Sequence, residues 1–168
     1  MKLTDELIEK AKKIKLVLAD CDGVLTDTGV YYSAEGEMMK RFSIRDGMGM
    51  ERLQKLVNVE CGIITGEESK SILRRAEKLK LTEVHLGVKD KVGRLNEILS
   101  RKKLRIEEVA FMGDDTNDID ILKIVGLSAC PADATKFAKE IADVIVESPG
   151  GNGAFRDFAE MIIDAKNN

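Results

Sequence analysis

Leu16-Val17-Leu18-Ala19-Asp20-Cys21-Asp22-Gly23-Val24-Leu25-Thr26-Asp27 is the stretch that decides the fold. Four apolar residues in a row read as a short strand buried on both faces, as in a parallel sheet. The run then stops on acids and a glycine, so the chain turns at the strand's carboxyl end, where open α/β sheets bind ligands. Similar short apolar runs lie at 61–64, 84–86, 109–112, 127–130 and 144–146. Between most of them the apolar residues follow a helical period: Leu3, Leu7, Ile8, Ala11 and Ile14 first, then Ile72, Leu73, Ala76 and Leu79, then Val92, Leu95, Ile98 and Leu99. The alternation predicts an α/β fold, a three-layer, doubly wound, Rossmann-like parallel sheet. One segment breaks the rhythm. Residues 29–42 hold two β-prone runs around Ala34-Glu35-Gly36, which predicts a β-hairpin inserted after the first strand and standing over the sheet's carboxyl edge.

The chain has 168 residues, enough for one domain, 1–168, with a core that needs no staples. It is 43% hydrophobic and 34% charged, with net charge −3, and so lacks the basic surplus of a nucleic-acid binder. The three cysteines, Cys21, Cys61 and Cys130, form no CxxC pair, which argues against a disulfide framework or a zinc site and for a reducing cytoplasm. No apolar run has the length of a membrane span, and MKLTDELIEK has no signal-peptide core.

Asp20 and Asp22 admit two readings. They are surface acids on a solvated turn, or both project into one crevice, where one attacks as a nucleophile and the other moves a proton. A second acidic group, Gly113-Asp114-Asp115-Thr116-Asn117-Asp118, closes the 109–112 strand. Thr116 or Asp115 could cap the helix that carries Ile119, Ile121 and Leu122. Capping does not call for three carboxylates, whose repulsion a cation offsets, and all-oxygen ligation favours Mg²⁺. Between the two groups, Thr65-Gly66 ends a strand before a helix beginning near Glu68. That is either a plain turn or an anion site of hydroxyl and backbone N–H groups. Lys91, at a helix start, is poorly placed for the helix dipole; it is either solvated or kept for an anion.

Together these residues resemble the haloacid dehalogenase superfamily of phosphohydrolases. Its motifs occur in order: DxDGVLTD at 20–27, ITG at 64–66, Lys91, and GDDxxD at 113–118. The resemblance implies that Asp20 is the nucleophile of an aspartyl-phosphate mechanism and that Asp22 is the general acid and base. It implies Mg²⁺ held by Asp20, the Asp22 carbonyl and Asp114, with Asp115 and Asp118 supporting it from behind. Thr65 and Lys91 would bind the phosphoryl oxygens. The segments 28–64 and 66–90 are too short for the cap domain many members carry.

One capless branch is similar in more detail: the phosphatases of 3-deoxy-2-keto sugar acids, acting on octulosonate 8-phosphate or on nonulosonate (sialic-acid-type) 9-phosphates. The shared features are DxDGVLTD, the hairpin, Arg45-Asp46-Gly47, and the tail Gly150-Gly151-Asn152-Gly153-Ala154-Phe155-Arg156, with Asp157 where glutamate is usual. This resemblance implies a small-molecule sugar-acid phosphate substrate and a homotetramer in which a neighbour's hairpin, together with the tail, closes the site. The two sub-branches pull apart: Arg45-Asp46-Gly47-Met48-Gly49 leans to the octulosonate type, while Glu67, Arg75-Ala76-Glu77-Lys78-Leu79 and Lys89-Asp90-Lys91 lean the other way. Gly66, Glu67, Arg75, Lys78 and Arg156 are the substrate-contact candidates. A cation there would suit a substrate carboxylate; equally, Arg74, Arg75 and Lys78 form a solvated helix face, and Arg156 pins the tail. Met38, Met39, Met48 and Met50 are expected in the core more than at an interface, His85 as structural, and Cys21 as a buried spacer. Two other readings stay open: a capless phosphatase of a macromolecular phosphoester, and a non-catalytic binding module on the same fold.

Overall fold

The computed structural model describes residues 4–168; Leu3, the first position of the N-terminal helical period, lies outside them. Helix α1 (Asp5–Lys13) starts where Thr4 accepts a hydrogen bond from the Leu7 N–H, with Asp5 and Glu6 in its first turn and lysines in its last, as the dipole favours. The chain then enters β1 (Leu16–Ala19), all four residues buried.

After β1 the hairpin forms: β2 (Thr26–Ser33) and β3 (Gly36–Phe42), antiparallel and apart from the main sheet. It begins three residues before the expected start, because Thr26 pairs with Phe42 on the far side of an irregular stretch in which the register slips before Val30 and Thr28 sits at φ +64°. Helix α2 (Ile44–Val57) and β4 (Glu60–Ile64) follow, then α3 (Lys70–Leu79), β5 (Glu83–His85), α4 (Lys91–Lys102) and β6 (Val109–Met112). A 3₁₀ turn at Thr116–Asp118, short α5 (Ile119–Leu122), β7 (Leu127–Cys130), α6 (Lys136–Lys139), β8 (Val144–Ile145) and α7 (Ala154–Asn167) complete the chain. Three of the expected strands match the observed limits. β5 sits one residue earlier than expected, β8 stops one residue earlier, and α3 starts at Lys70 instead of near Glu68.

The sheet runs β5-β4-β1-β6-β7-β8, every pair parallel. Strands are added outward from β1 in one direction as far as β5; α4 then carries the chain back to β6 on the other side of β1. That reversal makes a crevice outside the carboxyl ends of β1 and β6. Alternate side chains of β1 feed two cores. Val17 and Ala19 join Ala11, Leu53, Ile72, Phe155 and Phe158 on the face covered by α1, α2, α3 and α7. Leu16 and Leu18 join Leu95, Ile98, Phe111 and Leu122 on the face covered by α4 to α6. Helices on both faces give the three-layer architecture that the strand pattern implies.

Of the four methionines expected in the core, only Met50 is there: Met38 and Met39 are exposed on the hairpin, which stands away from the sheet, and Met48 is exposed on α2. The glycine-rich tail is packed. The Gly151 N–H donates to the Val24 carbonyl at 2.9 Å. A Cβ on Gly150 would lie 2.0 Å from the Gly23 carbonyl oxygen. Buried Asp46, at the start of α2, accepts from the N–H groups of Gly153 (3.2 Å) and Arg156 (3.0 Å) and so caps α7. The tail is thus a support beneath the loop that holds Asp22.

Candidate active site

Two strand ends bring the acids together. β1 and β6 are neighbours in register, Ala19 beside Met112, so the residues that follow them emerge side by side. One ligand oxygen from each of Asp20, Asp114 and Asp118 falls within a 4.8 Å group. Gly23 permits this approach: it sits at φ +82°, and a Cβ there would meet the Asp114 carboxylate at 2.0 Å.

Lys91, buried at the first residue of α4, reaches Asp20 Oδ2 at 3.0 Å and Asp118 Oδ1 at 2.5 Å. The other oxygen of Asp118 accepts from the N–H of Asp114 (2.9 Å) and Asp115 (3.4 Å), so Asp118 orders both the lysine and the acidic loop. Asp115 is exposed and caps its own short turn through the Thr116 N–H at 2.6 Å. One ammonium does not neutralise this group. Burial, then the charge of Asp118, push the Asp20 carboxyl up to about 6 against the pull of Lys91. Burial, then Asp20, Asp118 and Asp115, push Asp114 up to about 8. Such a site favours a cation among its oxygens.

Thr65 is buried at the end of β4; its hydroxyl accepts from the Glu67 N–H at 3.2 Å. Gly66 and Glu67 follow it, exposed, and line the same crevice of about 320 Å³ with Asp20, Asp22, Asp114 and Asp115. The third wall is this chain's own hairpin, through Thr28, Val30, Tyr32 and Lys40. Both oxygens of Asp22 accept from Lys40 Nζ, at 2.9 and 2.7 Å. The hairpin wall agrees with a hairpin expected over the sheet's carboxyl edge; Lys40 itself does not follow from the motifs. The available signal was period two in β3, which puts Lys40 on the same face as the half-buried Phe42.

Three expected substrate contacts lie elsewhere in this chain. Arg75 donates to the Ser43 carbonyl at 2.9 Å and lies over the Phe42 ring, packing α3 onto the start of α2. Lys78 is exposed on a separate groove at the opposite edge of the sheet, with Met50, Lys55 and Cys61. Arg156 pairs with Glu160, which also pairs with Arg52 across the α2–α7 contact. For Arg75 and Arg156 the charge is directed by helix packing. Cys21 is a buried spacer: burial first, then the two flanking carboxylates, hold its thiol well above the usual range.

The haloacid dehalogenase-like hydrolase family matches residues 49–156. A 3-deoxy-D-manno-octulosonate 8-phosphate phosphatase, KdsC, of Yersinia pestis is 34% identical over 98% of this chain and 87% of its own length. A structure described as a probable yrbi family phosphatase from Pseudomonas syringae superposes with TM-score 0.94 at 37% identity, over 98% of this chain and 93% of that one. The octulosonate 8-phosphate phosphatase of Moraxella catarrhalis, solved with magnesium, phosphate and KDO, superposes with TM-score 0.94 at 32% identity, over 99% and 95%. The chain belongs to the haloacid dehalogenase-like hydrolases. Its relatives place it among the phosphatases of that family.

Proposed function

We propose that this protein is a Mg²⁺-dependent phosphomonoesterase that hydrolyses a 3-deoxy-2-keto sugar acid phosphate, with octulosonate 8-phosphate as the preferred substrate. The observation that carries the chemistry is Lys91 bridging Asp20 and Asp118, with Asp114 in the same buried group. The names of the Yersinia and Moraxella relatives support the eight-carbon acid over the nine-carbon one suggested by Glu67.

The donor set suits the ion: the carboxylates of Asp20 and Asp114 are hard oxygens in one group, pushed up by burial and mutual repulsion, and the Asp22 carbonyl would add a third. When bound, Mg²⁺ supplies charge neutralisation for the phosphoryl group. The chain's own groups do the rest. Thr65, the Gly66 region and Lys91 orient the phosphoryl oxygens. An oxygen of Asp20 bonds to phosphorus as the ester bond breaks, and the ester oxygen leaves with a proton from Asp22. Asp22 then takes a proton from water, whose oxygen attacks phosphorus and frees Asp20. Tyr31, Tyr32, Met38 and Met39 on the exposed hairpin support a homotetramer in which a neighbour's hairpin covers the crevice; sizing with light scattering reads this directly, and a monomer would end the idea. Three buried, unpaired cysteines support a cytoplasmic setting.

The test is phosphate release with Mg²⁺ from octulosonate 8-phosphate, nonulosonate 9-phosphates, hexose phosphates and a phosphopeptide panel. At least a tenfold higher kcat/KM on the octulosonate ester is expected. Better turnover of phosphopeptides would move the activity to macromolecules, and no turnover of any ester in a folded protein would leave a binding module.

A further inference from the structure

Lys40 is a cation that the reaction scheme above does not use. It comes from β3 of the hairpin, its side chain is 1% exposed, and its ammonium meets both oxygens of Asp22. Burying a lysine this deeply is costly unless acids surround it. Besides Asp22 it faces Glu37, at 3.6 Å. Glu37 in turn accepts a short hydrogen bond from the buried Ser69 hydroxyl. Ser69 directly precedes α3 and closes the Thr65–Gly66–Glu67 loop. The chain of contacts therefore runs from the phosphate-binding loop, through the hairpin, to the carboxylate that moves the proton.

Asp22 is also held from behind. The Thr26 hydroxyl, fully buried, donates to its Oδ1 at 3.1 Å. The terminal torsion of an aspartate is broad and roughly two-fold when nothing restrains it. Contacts to both oxygens fix the plane of the carboxyl, and so fix which way a proton on it points. We propose that Lys40 is a positioning residue for proton transfer: it fixes the Asp22 carboxyl toward the ester oxygen and the incoming water, and ties that orientation to the phosphate loop through Glu37 and Ser69. Charge that appears on Asp22 as its proton leaves falls beside the buried ammonium, an arrangement already in place before the reaction. The proposal rests on the phosphatase reading above. A lysine that only anchors the hairpin would fit the burial equally well, so the test must separate proton transfer from folding.

Two variants do so: Lys40→Met, which keeps length and removes the cation, and Glu37→Gln, which loosens the strap and leaves Lys40 in place. Each is checked by circular dichroism and a cooperative melt, and Glu37→Gln carries the test if Lys40→Met does not fold. The substrates are a sugar-acid phosphate, whose alkoxide needs a proton to leave, and p-nitrophenyl phosphate, whose phenolate does not. With enzyme in excess, p-nitrophenol release reads attack by Asp20, and phosphate release reads hydrolysis of the intermediate. In Lys40→Met, p-nitrophenol release should stay within about threefold, while phosphate release and sugar-phosphate kcat fall about 10- to 100-fold, part of the range general acid–base catalysis supplies. KM should change little, and Glu37→Gln should show the same split at about threefold. Equal slowing of both releases, or unchanged kcat on the sugar phosphate, would overturn the role of Lys40 and leave the phosphatase reading intact. Wild-type protein inactive on both esters would overturn the two together.

Discussion

At the start of β5 the buried Glu83 is met by Arg101 at 3.0 and 2.7 Å, by Lys102 at 3.3 Å and by His85 at 2.9 Å. At the ends of β1 and β6, the grouped Asp20, Asp114 and Asp118 share Lys91. Both places bury carboxylates on the same sheet. Burial works against the charge of Glu83, yet the hydrogen bonds from Arg101, His85 and Lys102 hold its carboxyl down to about 2. At the other place burial and mutual repulsion win, lifting Asp20 to about 6 and Asp114 to about 8. An acid matched by cations of its own fold is finished as structure. A group left short of positive charge is built to receive it from outside.

The largest expected effect breaks the unfinished group at Asp20, the nucleophile proposed above. Asp20→Asn should cut kcat to below about one per cent of wild type while the melt stays cooperative; residual turnover above that level would remove Asp20 from the role. Next comes the missing charge. Asp114 has a folded-state pKa raised above its ordinary 3.8, so in chelated protein it costs stability as pH rises from about 4 through about 8. Chelated Asp114→Asn should therefore melt higher than chelated wild type at pH 8, and the difference should vanish near pH 4. Adding Mg²⁺ should raise the wild-type melt and leave the variant nearly unmoved; equal responses would show that Asp114 is no ligand. The smallest effect tests the finished group. Glu83→Gln should cost about 2 kcal/mol in urea unfolding at pH 7, with kcat unchanged. Because Glu83 is held below its ordinary 4.5, that cost should persist above about pH 4.5 and fade as pH falls toward 2. Lost activity with an unchanged midpoint would reverse the comparison.

The central strands were legible because β1, β6 and β7 are short, largely apolar runs that end on turn residues or acids, with nothing else competing for them. β5 was placed one residue late because Glu83 reads as a solvent residue until Arg101 and Lys102, a helix away, are brought beside it. The acids of the site were visible for the same reason as the strands: they stand where apolar runs stop. Lys40 was not, since its partner Asp22 lies across a hairpin whose register no local pattern fixes. Arg75 and Arg156 looked like anion binders by type, but Ser43, Phe42 and Glu160 occupy them through long-range packing.

The close approach of Gly150 to the Gly23 carbonyl bears on how far from the crevice its support lies. The loop between Asp22 and the hairpin rests on glycines far from it in sequence, so it gains that support only through a long-range contact. Undocking α7 would withdraw those glycines from under the loop, although among the described residues none of α7 lines the crevice.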